Sequence, residues 1–193
     1  PTQCRLCGGT LELPEVVGDY VYGGSDQQKF YRCPHCDVAF LHPAMSEAEE
    51  AEFYAKEFEK YMEKRSCGAD FDWSGPEAHI RTNEKQYLRR LPFIRDHVKP
   101  SARVLEIGCS SGFMLLPLRE QGCRVTGVDP SKGFTRFLKK HGIEVYDSLA
   151  NLRKPRIDVK FDVVMHFFVL EHIRRPVEFL TEAFEFVAPG GVM

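Results

Sequence analysis

Short apolar runs alternate with amphipathic stretches in the second half of the chain, from Ala102 onward. Continuous apolar runs bounded by turn residues are typical of strands that are buried on both faces of a parallel sheet. Apolar residues at three- and four-residue spacing are typical of helices packed on such a sheet. We predict strands at Arg103–Ile107, Arg124–Val128, Glu144–Tyr146 and Asp162–His166, a fifth from about Gly191, and helices at Gly112–Gln121, Lys132–Lys140 and Pro176–Val187.

The first 43 residues have a different composition, which is rich in glycine, proline, cysteine and aromatic residues. We predict a small β module here, with strands at Glu15–Tyr22, Lys29–Arg32 and Val38–Leu41. Its apolar content is too low to hold a fold by core burial alone, so it needs a further source of stability.

Two helices are predicted between the β module and the α/β region. Ser46 followed by Glu49 is a capping-box pattern, which favours a charged helix over Glu47–Glu63. A second helix is expected over Glu77–Val98, with Pro92 kinking or dividing it. The predicted organisation is therefore a β module at 1–43, a helical connector at 44–100 and an α/β core at 101–193.

Composition places few further limits on function. The 193 residues are 43% hydrophobic and 28% charged, which is ordinary for a globular protein, and the net charge of -2 gives no general attraction to nucleic acid or anionic membranes. No apolar run approaches the roughly 20 residues that span a bilayer, and the first residues lack a signal-peptide pattern. We expect an intracellular, cytoplasmic protein with no membrane partner.

Four of the seven cysteines form two Cys-x-x-Cys pairs. An odd number cannot pair fully within one chain, and in an intracellular protein such pairs favour a metal over disulfides. Four thiolates at this spacing surround one tetrahedral zinc ion and leave no open position. We predict a structural zinc ion on Cys4, Cys7, Cys33 and Cys36.

Other interpretations of this cysteine module remain open. His35 or His42 are alternative ligands, and a redox dithiol is a further possibility. A zinc ribbon can also bind nucleic acid, but Arg5, Lys29 and Arg32 form no basic run, which disfavours that partner.

The segment from Glu106 to Gly112 joins the first predicted strand to its helix by a turn of small residues. Such a strand–turn–helix unit binds nucleoside-containing cofactors at the strand ends. A dinucleotide fingerprint would need glycines at 108, 110 and 113, but Ser110 and Phe113 stand at two of these positions. Glu106 adds a negative charge that suits an amino-bearing ligand, and Asp129 ends the next strand, where it can accept hydrogen bonds from a ribose.

Joined to Asp129, this turn resembles the S-adenosylmethionine site of class I methyltransferases. Phe161–Ile173 resembles the family's fourth-strand motif and Val187–Val192 its turn before the fifth strand, and the segments occur in the family's order. The resemblance implies an α/β, doubly wound Rossmann-like sheet in the order 3-2-1-4-5. It also implies a chain that stops short of the full protein, because the family continues beyond strand five.

The resemblance assigns cofactor contacts to the turn and to the ends of the next strands: Glu106, Gly108, Cys109, Ser110, Gly112, Asp129, Pro130, Ser131, Asp147, His166 and Phe167. Within this set, Glu106 and Gly108 would border the methionine part and Asp129 the ribose. Asp147 would meet the adenine amino group. As alternatives, Asp129 could cap the next helix, Asp147 could be a surface residue, and Phe167 could belong to the core.

A general base is needed only if the acceptor must lose a proton. His172 follows Glu171 after the fourth strand and could serve as that base, although both could simply orient the loop. Some relatives, among them ubiquinone-pathway O-methyltransferases, carry Glu-x-x-Glu-His here and hold a divalent metal. Phe168 replaces the first glutamate in this chain, so we predict no catalytic metal.

The order of cysteine module, helices and core is also similar to that of bacterial sugar C-methyltransferases and related enzymes of glycan or natural-product pathways. It implies methyl transfer to a hydroxyl or carbon of a small-molecule acceptor. Tyr20, Tyr22, Trp73 and His79 could line the acceptor pocket, although packing is the favoured interpretation for each of them. The alternatives are a non-catalytic binding or scaffold protein and a methyltransferase that acts on nucleic acid.

Overall fold

The computed structural model describes residues 1–21, 24–46, 48–49, 75–154 and 158–193. The described residues form two compact units, one within Pro1–Arg65 and Arg174–Val177, the other within Ser66–Ile173 and Glu178–Met193. Most of the predicted helix over Glu47–Glu63 lies outside the described residues, as do Tyr22 and Trp73. In the described part of the chain, no helix combines the length and the apolar character that crossing a bilayer demands.

The first unit contains a three-stranded antiparallel sheet in the order β1-β2-β3, which confirms the predicted small β module. Its strands are β1 (Glu15–Gly18), β2 (Lys29–Arg32) and β3 (Ala39–His42). Four buried residues make its small apolar core: Cys4, Leu11, Cys33 and Phe40. Two of these four are cysteines, so burial alone contributes little to the stability of the unit.

The capping box predicted at Ser46 is present. The Glu49 amide donates to the Ser46 hydroxyl at 3.3 Å, and the Ser46 amide donates to the Glu49 carboxylate at 2.7 Å. These reciprocal bonds satisfy donors that a helix N-terminus leaves without partners.

The second unit is built on a five-stranded parallel sheet in the order β6-β5-β4-β7-β8. In chain order its strands are β4 (Arg103–Ile107), β5 (Arg124–Val128), β6 (Glu144–Tyr146), β7 (Phe161–His166) and β8 (Val187–Val192). This is the predicted order 3-2-1-4-5, so the doubly wound Rossmann-like fold is confirmed. The chain switches direction across the sheet beside β4, which is where such folds bind ligands.

Six α-helices surround the sheet in the described residues: α1 (Pro76–Thr82), α2 (Glu84–Ile94), α3 (Leu115–Glu120), α4 (Lys132–Lys140), α5 (Leu149–Arg153) and α6 (Pro176–Phe184). A short 3₁₀ helix covers Leu170–His172. Alternate residues of β4 enter separate cores on the two faces, Val104 with Leu118 and Leu105 with Phe186. The sheet is therefore covered on both faces, as its continuous apolar strands predict.

Some predicted boundaries were wrong. The helix over Glu77–Val98 divides at Asn83 rather than at Pro92, because the Asn83 side chain donates to the His79 carbonyl at 2.8 Å and closes α1. The helix predicted from Gly112 begins only at Leu115, since Gly112 has a φ of +79° that no α-helix accommodates. The fifth strand starts at Val187 instead of Gly191 and runs through the expected turn.

Candidate functional site

The turn that follows β4 contains three residues in left-handed backbone conformations. Gly108 has a φ of +75°, Ser110 of +48° and Gly112 of +79°. A Cβ atom at Gly108 would overlap the Val169 side chain, and one at Gly112 would overlap Leu138. Glycine is therefore required at both positions for backbone conformation and for space, and the two glycines let the turn stay tight at the strand end.

Glu106 lies immediately before this turn and is 1% exposed. Its Oε2 atom has no hydrogen-bond partner among the described residues. Burial raises the pKa of Glu106 well above its ordinary value, while the charge of Arg90 opposes the rise and that of Asp129 adds to it. Because buried polar atoms without partners are rare, this oxygen indicates a ligand that brings a hydrogen-bond donor.

Asp129 is 8% exposed and holds the turn in place. Its carboxylate accepts hydrogen bonds from the Ser110 amide at 2.7 Å and the Ser131 amide at 2.9 Å. Burial raises the pKa of Asp129, and these two bonds oppose the rise. Both donors precede α4, whose N-cap is Ser131, so Asp129 does not cap that helix.

A buried hydrogen bond connects α1 to the turn. His79 Nδ1 lies 2.8 Å from the Ser111 hydroxyl, and the two residues are 4% and 0% exposed. Burial, with a smaller contribution from the nearby Arg90 charge, lowers the pKa of His79 to about 4. The imidazole is therefore neutral near pH 7 and packs against the rings of Phe113 and Phe134. The sequence analysis gave His79 either an acceptor pocket or a packing role, of which packing was favoured, and it missed the bond to Ser111.

The remaining predicted cofactor residues lie at the same edge of the sheet. Cys109 is buried in the turn, Ser131 precedes α4, and Asp147 follows β6 on the surface. The side chains of Asn151 and Ser148 donate to Asp147 and lower its pKa. Pro130 is exposed beside Ser131. Their contacts with a cofactor stay predictions.

His166 and Phe167 lie at the end of β7 but pack into different surroundings. The His166 ring meets Phe179 of α6 edge-on at 5.6 Å, and burial lowers its pKa while the Glu171 charge opposes the shift. Phe167 packs instead against the core that contains Phe113. Of the two, Phe167 packs on the face of the sheet whose core also contains Cys109 and Phe113.

Arg90 is a site residue that the sequence analysis missed. Its guanidinium carbon lies 4.8 Å from the ring centre of Phe113, 5.0 Å from that of Phe167 and 5.1 Å from that of Phe168. Its Nε atom is buried and has no hydrogen-bond partner among the described residues. The only local signal is an arginine between Tyr87 and Leu91, which pack against the core.

Glu171 and His172 are exposed on the 3₁₀ helix after β7. Phe168 has a φ of +56° and a ring that is 70% exposed, in the position where some relatives carry a glutamate. Its ring contacts Arg90, so it adds an aromatic surface here instead of a carboxylate. The role of His172 as a base stays a prediction.

The four predicted cysteine ligands come together in the first unit. All four Sγ atoms lie within 4.8 Å of one another, with 3.7 Å between Cys4 and Cys36 and between Cys7 and Cys33. Zn–S bonds of about 2.3 Å in a tetrahedron place sulfurs about 3.8 Å apart, so the cluster fits a zinc ion. His35 Nε2 lies 3.0 Å from the Thr10 carbonyl, outside this ligand set.

Known protein families and curated proteins include relatives of this chain. A family model described as a methyltransferase domain matches residues 78–193. Ubiquinone biosynthesis O-methyltransferases from Maricaulis maris and Agrobacterium fabrum are each 30% identical over 63% of this chain, which covers 55% and 56% of their lengths. The chain thus spans about half the length of these curated relatives.

Solved structures include similar chains. A SAM-dependent methyltransferase from Archaeoglobus fulgidus is 25% identical with a TM-score of 0.49, over 57% of this chain and 51% of its own. One from Thiobacillus denitrificans in complex with S-adenosyl-L-homocysteine is 24% identical with a TM-score of 0.45, over 56% and 46%. The family model alone covers more than half of the chain, and this protein therefore belongs to the methyltransferase domain family.

Proposed function

We propose that this protein transfers methyl groups from S-adenosylmethionine to a small-molecule acceptor. The observation that carries the proposal is the Oε2 atom of buried Glu106, which has no hydrogen-bond partner among the described residues and lies immediately before a tight turn containing two left-handed glycines. An amino group is the donor that this oxygen lacks, and a methionine-derived cofactor carries one. When bound, such a cofactor supplies a methyl group activated by its sulfonium.

The chain's own residues would bind and orient the cofactor. Each Asp129 oxygen accepts one backbone amide in the structure, and a carboxylate oxygen can accept a second donor, so a ribose hydroxyl fits there. The Asp129 bond to Ser110 fixes the turn before any ligand arrives. Holding two reactants in a fixed geometry away from water is the main contribution that methyl transfer needs from a protein.

The chemical class of the methyl acceptor is also part of the proposal. The relatives are named O-methyltransferases, which favours a hydroxyl acceptor in this chain. A sugar, a glycan precursor or another natural product remains our proposed acceptor class. His172 is the candidate base for a hydroxyl, since its exposed position on the 3₁₀ helix is within the loop that follows β7.

Calorimetric titration of the zinc-loaded chain with S-adenosylhomocysteine tests the proposal. We expect Glu106→Gln to weaken binding about tenfold or more, because a hydrogen bond to a charged group contributes about 1.5–3 kcal/mol. Glu120→Gln, on the exposed end of α3, is the matched control and should bind like the wild type. No binding by the wild type, or equal binding by Glu106→Gln, would refute the proposal.

We also propose that the four-cysteine cluster holds a structural zinc ion. The sulfur separations support it, and so do amide donors at 3.4 Å from Leu6 to Cys4 and from His35 to Cys33, which stabilise thiolates. The four ligands leave no open position, so the ion would take no part in methyl transfer. Its binding would stabilise a unit whose apolar core is very small.

A further inference from the structure

We propose that Arg90 and the rings around it form an acceptor subsite for a flat, apolar molecule that carries an anionic oxygen group, such as an aromatic carboxylate. The inference rests on the methyl-transfer function proposed above, because it names the class of acceptor. It depends on the position of the arginine, its unmet hydrogen-bonding capacity and the exposed aromatic surface beside it.

The position of Arg90 places it at the ligand edge of the sheet. Two of its ring partners, Phe167 and Phe168, follow β7, and the third, Phe113, follows the glycine turn after β4. The carboxyl ends of these adjacent parallel strands meet at one edge, where Glu106 also lies. Arg90 is therefore next to the proposed cofactor site while standing on a different element, α2.

The guanidinium of Arg90 is held in place and has an N–H donor that the described residues leave unused, as an anion-binding group requires. Three rings at 4.8 to 5.1 Å hold the planar group, and its buried Nε–H donates to no acceptor among the described residues. A planar guanidinium offers parallel N–H donors that match a carboxylate. Glu106 and Glu171 are the negative charges that act on Arg90, and a cofactor amino group would neutralise the first of them.

An exposed aromatic surface lies next to this charge. The rings of Phe93 and Phe168 are 76% and 70% exposed, and the Phe93 ring centre lies 6.5 Å from that of Phe167. Phe168 adopts a left-handed φ of +56°, which is rare for a bulky residue, and such strained residues cluster at active and ligand sites. A flat apolar ligand would cover these rings while its anionic group reaches Arg90.

The cofactor's own carboxylate offers the same chemistry, so the experiment must separate the two sources. Benzoate and its neutral isostere benzamide, at millimolar concentration, are titrated into the full zinc-loaded chain that is saturated with S-adenosylhomocysteine. We expect benzoate to bind at least tenfold more tightly than benzamide. Arg90→Met should weaken benzoate about tenfold or more and leave the affinity for S-adenosylhomocysteine within twofold.

Two further variants keep the test independent of folding. Phe168→Ala removes an exposed ring and should weaken benzoate about threefold without a change in thermal stability. Arg89→Met, exposed one residue before Arg90, is the charge-matched control and should bind like the wild type.

Three results would overturn the proposal. They are equal binding of benzoate and benzamide, no benzoate binding by the wild type, and a loss of S-adenosylhomocysteine affinity in Arg90→Met as large as the loss for benzoate. The last result would assign Arg90 to the cofactor carboxylate. A wild type that binds benzoate through Arg90 in the absence of S-adenosylhomocysteine, and never binds S-adenosylhomocysteine, would refute the methyl-transfer function and leave the anion site standing.

Discussion

Replacement of Gly112 by alanine separates two reasons for the glycine in the cofactor turn. The left-handed φ of +79° should cost alanine about 1 kcal/mol. The new Cβ would also overlap the Leu138 side chain, which is fully buried and has little room to move. Overpacking of a core typically costs about 1–3 kcal/mol, so we expect Gly112→Ala to lower the free energy of unfolding by about 2–4 kcal/mol.

Two other glycines of the same unit are matched controls. Gly190 has a φ of +77°, and a Cβ added there would have nothing within 4 Å, so Gly190→Ala should lose only the conformational part, about 1 kcal/mol. Gly133 lies in α4, and a Cβ there would meet only the Ser131 hydroxyl, at 4.0 Å, so Gly133→Ala should be neutral or stabilising by up to about 1 kcal/mol. Urea unfolding followed by circular dichroism measures all three. If Gly112→Ala and Gly190→Ala lower the free energy of unfolding by amounts that agree within about 0.5 kcal/mol, then the overlap with Leu138 does not contribute as predicted.

Two more predictions concern zinc and pH. Metal analysis should find one zinc ion per chain, lost in Cys33→Ser and kept in the control Cys123→Ser; a Cys33→Ser chain that retains zinc with unchanged affinity would contradict the proposed ligand set. The folded-state pKa of His79, about 4, lies below its ordinary 6.5, so the unfolded chain binds the proton first and stability falls as pH drops from about 6.5 towards about 4. The loss of free energy of unfolding should reach at most about 3 kcal/mol. Urea unfolding at pH 5 and at pH 7.5 measures it, and the free energy of unfolding should change less between these pH values in His79→Gln than in the wild type. Equal changes in the two proteins would argue against a buried neutral imidazole.

Much of the fold was predictable because its signals are local. The apolar runs at Val104 and Val163 belong to strands that a parallel sheet buries on both faces, and their alternation with helices indicates such a sheet. The strand order came from the resemblance to class I methyltransferases. The fifth strand was misplaced because Pro189 and Gly190 are typical of a turn. A Cβ at Gly191 would lie about 3.0 Å from backbone oxygens of β7, and that close approach of two strands has no sequence signal.

The candidate site was predictable only in part. Glu106 and Asp129 stand at fixed offsets within a motif, so their position beside the turn could be anticipated. The contacts of Arg90 with Phe167 and of His79 with Ser111 join segments that are distant in the chain. Neither contact leaves a periodic pattern, because each depends on how α1 and α2 pack against the strand ends.

The place of β4 in the middle of the sheet has a consequence for the order of events during synthesis. β4 pairs with β5, which leaves the ribosome one helix later, and with β7, which is made only after β6 and α5. A nascent chain can thus form β4–β5–β6 while the opposite hydrogen-bonding edge of β4 still lacks its partner strand. Glu106 is paired with Met165 of β7, so the surroundings of its carboxyl are complete only after β7 has docked, and the cofactor pocket is among the last parts of the unit to mature.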